Sequence, residues 1–197
     1  NDDRWSQVFP LPFNFCFYGQ VYNAAQANTN GLITFDINTP DTFSSWPATN
    51  VPIGGATFNQ VNAICGVYQD TDFRTSSPAA SPPERQINWK ISGTYACRKL
   101  IVNFYHLGQW NSSNSCNYTT PVGLQTSQIV LYEISNIIEV YVERRVPCMA
   151  SWNGSGVIGI INQNGTQSLA PPGRDTGNWS AFNEGWRFTP SGPSVVN

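Results

Sequence analysis

Two aspartates, Asp70 and Asp72, stand two residues apart where the apolar run from Ala63 to Tyr68 gives way to polar chain. In extended backbone that spacing puts both carboxylates on one side, with Thr71 opposite. Two anions so close repel unless something positive lies between them: Arg74, a ring of backbone N–H groups, or a hard cation. Calcium takes about 6–8 oxygen ligands, so Asn28, Thr29, Asn30 or Asp36 would have to supply some of them. The plainer reading, two Asp residues capping a turn and pairing with Arg74, is the stronger one. Calcium is the single cofactor the chain gives any reason to consider.

Catalytic constellations are thin. Glu133 and Glu139 are the nearest approach to a glycosidase pair, which needs carboxylates ~5–9.5 Å apart across a bond. Their parities along the flanking strands differ, so they are expected on opposite faces. His106 is the only histidine, and no HExxH or GxSxG pattern accompanies it. Gly154-Ser155-Gly156-Val157-Ile158-Gly159 spells GxGxxG, but that motif cradles a pyrophosphate only where a helix starts on it, and a β-branched run follows here. The chain is not expected to be an enzyme. Seven tryptophans and eight tyrosines offer material for a sugar-stacking platform. Trp110, Trp179 and Phe182 are its candidates, against the alternative that Trp152 and Trp186 simply close one end of a core.

Five cysteines lie at positions 16, 65, 97, 116 and 148, with no CxxC and no neighbouring histidine, which argues against zinc. Cys116 and Cys148 flank an antiparallel hairpin whose ends must meet, so a disulfide between them is expected, worth about 3 kcal/mol. Cys97 is expected at the far end of that hairpin, which leaves Cys16 and Cys65 as a second pair.

These residues must be positioned by strands. The stretch from Gln128 to Arg145 alternates with a period of two and reads as a β-hairpin. With Ser135-Asn136 as a tight turn, Leu131 faces Val140 and Ile129 faces Val142. Ile129, Leu131, Ile138, Val140 and Val142 then share one face. Such a hairpin is marginal alone and needs partner strands. Phe9, Leu11, Phe13, Phe15 and Phe17 alternate in another, which Pro10 and Pro12 confine to a sheet edge. Further strands are expected at 20–28, 32–36, 62–68, 87–91, 99–107, 156–162 and 186–189. The segment 37–60 reads as a long loop pinned by Phe43 and Trp46. Residues 74–86 read as a disordered loop and 170–185 as a Pro/Gly-rich one. With no helical periodicity anywhere, the fold expected is all-β: an antiparallel β-sandwich of about ten strands with long irregular loops. One domain over 1–190, with 191–197 as a linker or tail, accounts for the 197 residues.

Only 11% of residues are charged and the net charge is −2, with no basic run beyond Arg144-Arg145. That excludes a nucleic-acid footprint. No apolar run reaches the ~20 residues needed to span a bilayer, so no membrane insertion is expected. The profile is that of an extracellular β protein. Five Asn-x-Ser/Thr triplets, at Asn111, Asn117, Asn153, Asn164 and Asn178, are glycan acceptors if the source glycosylates.

Three stretches resemble the landmarks of nidogen-like (NIDO) domains: FPLPFNFCFYGQVY, NTNGLITFD and AICGVYQDTD. DDRWS, CRKLIVNFYHL, TSQIVLYEISNIIEVYVERRVPC, WNGSGVIGIINQNGT and PPGRDTGNWSAFNEGWRF further resemble a module of gliding-motility-associated surface adhesins exported by the type IX system of Bacteroidota. The resemblance implies a non-catalytic adhesion module at the cell surface. Its partners would be an extracellular or cell-surface polymer, protein or glycan, and neighbouring modules of the same long chain. A carbohydrate-binding or carbohydrate-active domain on a similar sandwich is the alternative.

Overall fold

The computed structural model describes residues 2–48, 52–74, 83–110, 123–147 and 154–192. Within them run β1 (Phe9–Phe17), β2 (Gln20–Ala27), β3 (Leu32–Thr34), β4 (Ala63–Tyr68), β5 (Thr71–Asp72), β6 (Gln86–Ser92), β7 (Lys99–Gln109), β8 (Leu124–Tyr132), β9 (Ile138–Arg145), β10 (Val157–Ile161), β11 (Ser168–Leu169) and β12 (Ala181–Phe188). They form two antiparallel sheets of six strands: β1-β2-β3-β4-β10-β11, and β12-β9-β8-β7-β5 with β6 also paired to β7. The expected β-sandwich is therefore the observed architecture.

Alternation along β1 sends Phe9, Leu11, Phe13, Phe15 and Phe17 inward while Pro10 and Asn14 face water. Its prolines are harmless because β1 is an edge strand. Phe35 ties this strand to its neighbour, with ring centroids 5.8 Å from Phe15, 5.0 Å from Phe17 and 4.6 Å from Tyr22. The opposing sheet contributes Leu100, Val102, Phe104, Ile129, Leu131, Ile138, Val140 and Val142 to the same core.

A second cluster lies on the other side of the first sheet, where Ala48, Ile53 and Phe58 of the long loop cover Leu32, Cys65, Tyr68, Val157 and Ile161. That cover explains why β4 is apolar without alternation: it is buried on both faces. Of the two residues expected to pin the loop, Trp46 is half-buried and Phe43 is exposed. The Phe43 ring, 62% exposed, stacks edge-on with Trp46 at 5.6 Å, and its backbone bridges to Arg4.

The central hairpin differs from expectation in register. Leu131 pairs with Ile138 and Ile129 with Val140, which moves the centre of the turn to Ile134-Ser135, and because β8 ends at Tyr132 the connection is longer than two residues. Tyr132 N still donates to Ile137 O, but Glu133 leaves the ladder for Arg98, accepting from its guanidinium at 2.5 and 3.0 Å. A slip of two preserves parity, so the inward face is the expected one. The last strand is also longer than expected: β12 begins at Ala181 and runs beside the whole of β9. Residues 75–82, most of the loop expected to be disordered, lie outside the described residues.

Candidate functional site

At one end of the sandwich the first residues of the chain lie across the outrunning end of β4 and β5. Asp2 Oδ1 accepts from Phe73 N at 2.7 Å, and Asp3 Oδ1 accepts from Asn30 Nδ2 at 2.9 Å. Asn30 Oδ1 in turn accepts from Thr71 N at 3.0 Å. Four carboxylates, Asp2, Asp3, Asp70 and Asp72, are thereby gathered around Thr71. Asp72 and Arg74 form the expected pair, with guanidinium bonds of 2.7 Å to each carboxylate oxygen. Asp70 is different. It is 5% exposed, and no described group donates to its carboxylate. Burial, and then the charges of Asp3, Asp2 and Asp72, push its pKa up to about 8; burial likewise raises Asp2 to about 6. Asp36 stands outside this corner, exposed and bonded to Asn38. Asp2 and Asp3 had no sequence signal as partners, because nothing local in the chain places residue 2 against residue 73.

A second polar site is hidden. Along β9 the inward parity of Ile138, Val140 and Val142 would turn Arg144 inward, but a bulge opposite Thr126/Ser127 shifts the register. Arg145 therefore points in and is 1% exposed. Its guanidinium donates to Gln69 Oε1 at 2.9 Å, to Gly154 O at 2.5 Å and to Trp179 O. It lies 4.2 Å from the centroid of the Trp179 ring, whose other neighbour is Arg174 at 4.7 Å. Burial, with Arg174 near by, brings its pKa down to about 9. The GxGxxG stretch is the seat of this cation rather than of a nucleotide. A Cβ on Gly156 would stand 2.6 Å from the guanidinium carbon.

The proposed aromatic platform does not assemble. Trp179 is buried at 9% exposure, with its indole N–H donating to Gly156 O at 2.9 Å. Phe182 is 60% exposed under Arg144, and Trp110 is half-buried just after β7, its backbone N–H donating to Asp70 O at 3.0 Å. Trp186 packs against the core, and Trp152 lies outside the described residues. His106 sits at a bulge in β7 beside Glu84, Nδ1 to Oε1 3.2 Å.

The pairing of Cys16 with Cys65 is overturned: both are free thiols. β2 and β3 stand between their strands, which puts them roughly 14 Å apart at the usual strand spacing, beyond disulfide reach. Cys116 and Cys148 lie outside the described residues.

The outer face of the second sheet is open and ordered. Asn88, Asn103, Gln128 and Tyr141 are aligned across β6, β7, β8 and β9. Gln128 Nε2 donates to Asn103 Oδ1 at 2.6 Å, and Asn103 Nδ2 to Asn88 Oδ1 at 2.7 Å. In the next row Glu139 accepts from Tyr132, from Tyr141 at 2.6 Å and from Arg187 at 2.8 Å. Burial alone would raise the Glu139 carboxyl; the two phenols and the guanidinium outweigh it and hold the pKa below the ordinary value. Tyr141, 42% exposed, is thus fixed over Gly185, where a Cβ would meet its ring at 3.3 Å. Glu133 is at the hairpin end, paired with Arg98, whereas Glu139 is paired with Arg187.

A family model described as NIDO related matches residues 1–187. No curated protein and no solved structure matches the chain.

Proposed function

The chain belongs to the NIDO-related family, and we propose on that footing that it is a non-catalytic extracellular interaction module whose outer sheet face meets its partner. An extracellular setting is typical of that family. The observation that carries the reading is the interlocked outer face. Asn88, Asn103 and Gln128 are held by one another, and so are Tyr141, Glu139 and Arg187, before any partner arrives. A surface whose side chains are already fixed loses little rotamer freedom on binding. The partner proposed is a surface polymer, protein or glycan, with the module carried among others in a long adhesin. The adhesin setting, and a part in gliding or attachment, draw support from the DDRWS and WNGSGVIGIINQNGT stretches and their companions.

The carbohydrate-binding alternative gains one point of its own: a row of amides ending at an exposed tyrosine matches the planar polar and aromatic groups that sugars use. The experiment is binding of the isolated chain to a glycan array and to intact cell surfaces, wild type against Gln128→Ala/Tyr141→Ala. Binding reduced about tenfold, which is ~1.4 kcal/mol, with an unchanged melting temperature, is the expected result. Equal binding by both proteins would move the interaction surface elsewhere, and binding to glycans alone would select the second reading.

A further inference from the structure

A strand at the edge of a sheet presents unpaired N–H and C=O groups, and proteins ordinarily blunt such edges. Every edge but one is blunted here. β1 carries Pro10 and Pro12, and β5 and β11 are two residues long. β12 turns the charged Glu184 inward, on the parity of Trp186, where Arg174 holds it at 2.8 Å. β6 has no such device. All seven of its residues pair with β7, and among the described residues nothing pairs with its other side. Ile87, Trp89 and Ile91 lie opposite Phe104, Val102 and Leu100, so they share the inward face. The first sheet covers that face only in part: Phe9 stacks on Trp89 at 5.5 Å, yet Trp89 is 41% exposed and Ile91 47%. We propose that β6 pairs antiparallel with β6 of a second copy of this chain, about a two-fold axis beside Trp89, so that two second sheets become one.

The strand is complementary to itself. With the axis at Trp89, its central residue, all seven positions enter the ladder. Gln86 then faces the partner's Ser92, Ile87 the partner's Ile91, Asn88 the partner's Lys90 and Trp89 the partner's Trp89. Apolar residues meet apolar ones on the inward face, and aromatic and β-branched cross-strand pairs are among those that stabilise a sheet. The single charge, Lys90, meets a neutral amide. Centring the axis on Lys90 instead would oppose two ammonium groups and leave Gln86 and Ile87 outside the ladder. The pairing also stops at two copies, because it is isologous and the remaining edges are blunted against further addition. A two-fold normal to the sheet turns both outer faces the same way, so the amide row that ends at Asn88 runs on to the partner's Lys90. The pairing stands whether or not that face is the binding surface. An interface built on one strand lies at the small end of specific interfaces, so half-dimerisation is expected on the order of 10⁻⁴ M.

The test is sedimentation equilibrium of the whole chain, with the exposed Cys97 alkylated so that it forms no intermolecular disulfide. Amide hydrogen exchange at low and high protein concentration accompanies it. Wild type should behave as a monomer–dimer system, and raising its concentration should slow exchange within 86–92 while leaving β12 unchanged. Asn88→Lys sets two like-charged pairs across the axis and should weaken the dimer about tenfold, whereas Asn88→Glu sets two ion pairs there and should tighten it about fivefold. Residue 88 is exposed, so both variants should melt as wild type does at low concentration. Ile91→Lys, which buries its charge only in the dimer, should abolish association. A wild type still monomeric at about 1 mM overturns the proposal. So does a dimer that responds alike to both Asn88 variants, one that protects β12 instead of β6, or a monomer whose β6 amides are protected only by an added extended peptide.

Discussion

Arg145 shows how one side chain can decide a fold locally. A guanidinium fully removed from water normally needs a carboxylate, yet its described partners are three neutral oxygens and an indole ring. Those oxygens come from three separate places in the chain, Gln69, Gly154 and Trp179, so the cation acts as a rivet between the sheets and the final loop. Removing it would strand all three acceptors in the interior, and each loses about 1–3 kcal/mol when left without a donor. Arg145→Ala should therefore destabilise by about 3 kcal/mol or more, read from the urea midpoint at constant slope. Gly156→Ala should also destabilise, because its methyl enters the guanidinium's space, while Arg144→Ala should be nearly neutral. A small effect for Arg145→Ala comparable to that of Arg144→Ala would mean that water replaces the guanidinium at no cost. Sequence reading had no access to this choice. Arg144 and Arg145 look alike in the chain, and only a one-residue bulge determines which of them turns inward.

Among the elements, the β8–β9 hairpin is where local pattern and tertiary demand meet. Alternation in the chain is enough to assign its faces, because parity survives any even slip. It is not enough to assign the turn. Arg98 draws Glu133 out of the ladder, and Asn136 Oδ1 accepts from Cys16 N at 2.8 Å, so contacts with distant strands lengthen the connection. The same blindness applies to β12, whose Pro/Gly-rich approach hides a strand that exists only because β9 offers it an edge. The lengthened turn leaves Ile134 at φ 63° and 43% exposed. A β-branched residue is disfavoured there by roughly 1–2 kcal/mol, and asparagine tolerates the conformation far better. Ile134→Asn should stabilise the chain by about 1 kcal/mol, seen as a higher urea midpoint with unchanged unfolding slope. A lower midpoint would show that the packing of Ile134 outweighs its backbone conformation.

At the scale of the whole molecule, the two sheets and the loop cover of the first one bury two clusters, and the free thiols follow from that layout. Cys65 belongs to the cluster beneath the long loop, where burial pushes its thiol pKa far above the ordinary range, and Cys16 sits on the edge strand β1 of the same sheet, with β2 and β3 between them. Cys97 is exposed beside Lys99, whose partner is Tyr132 at the turn end of the hairpin. The other end is held by Gln125 opposite Arg145 and by Gly123 N donating to Val146 O at 2.6 Å. The seven residues of β8 from Gln125 to Leu131 separate these ends by about 20 Å or more. Cys116 precedes Gly123 in the chain and Cys148 follows Val146, and Gly123 and Val146 stand at the end that Cys97 does not share. The disulfide expected between Cys116 and Cys148 would close the hairpin at that open end. A non-reducing peptide map should link those two, with Cys97 alkylated in the native protein and Cys65 only after unfolding. Closing a loop of that length constrains the unfolded chain by about 3 kcal/mol. Reduction should accordingly lower the melting temperature by about 6–12 °C. Recovery of Cys148 as a free thiol, or bonded to Cys97, would rule out the pairing and require the chain on either side of the hairpin to run back along it.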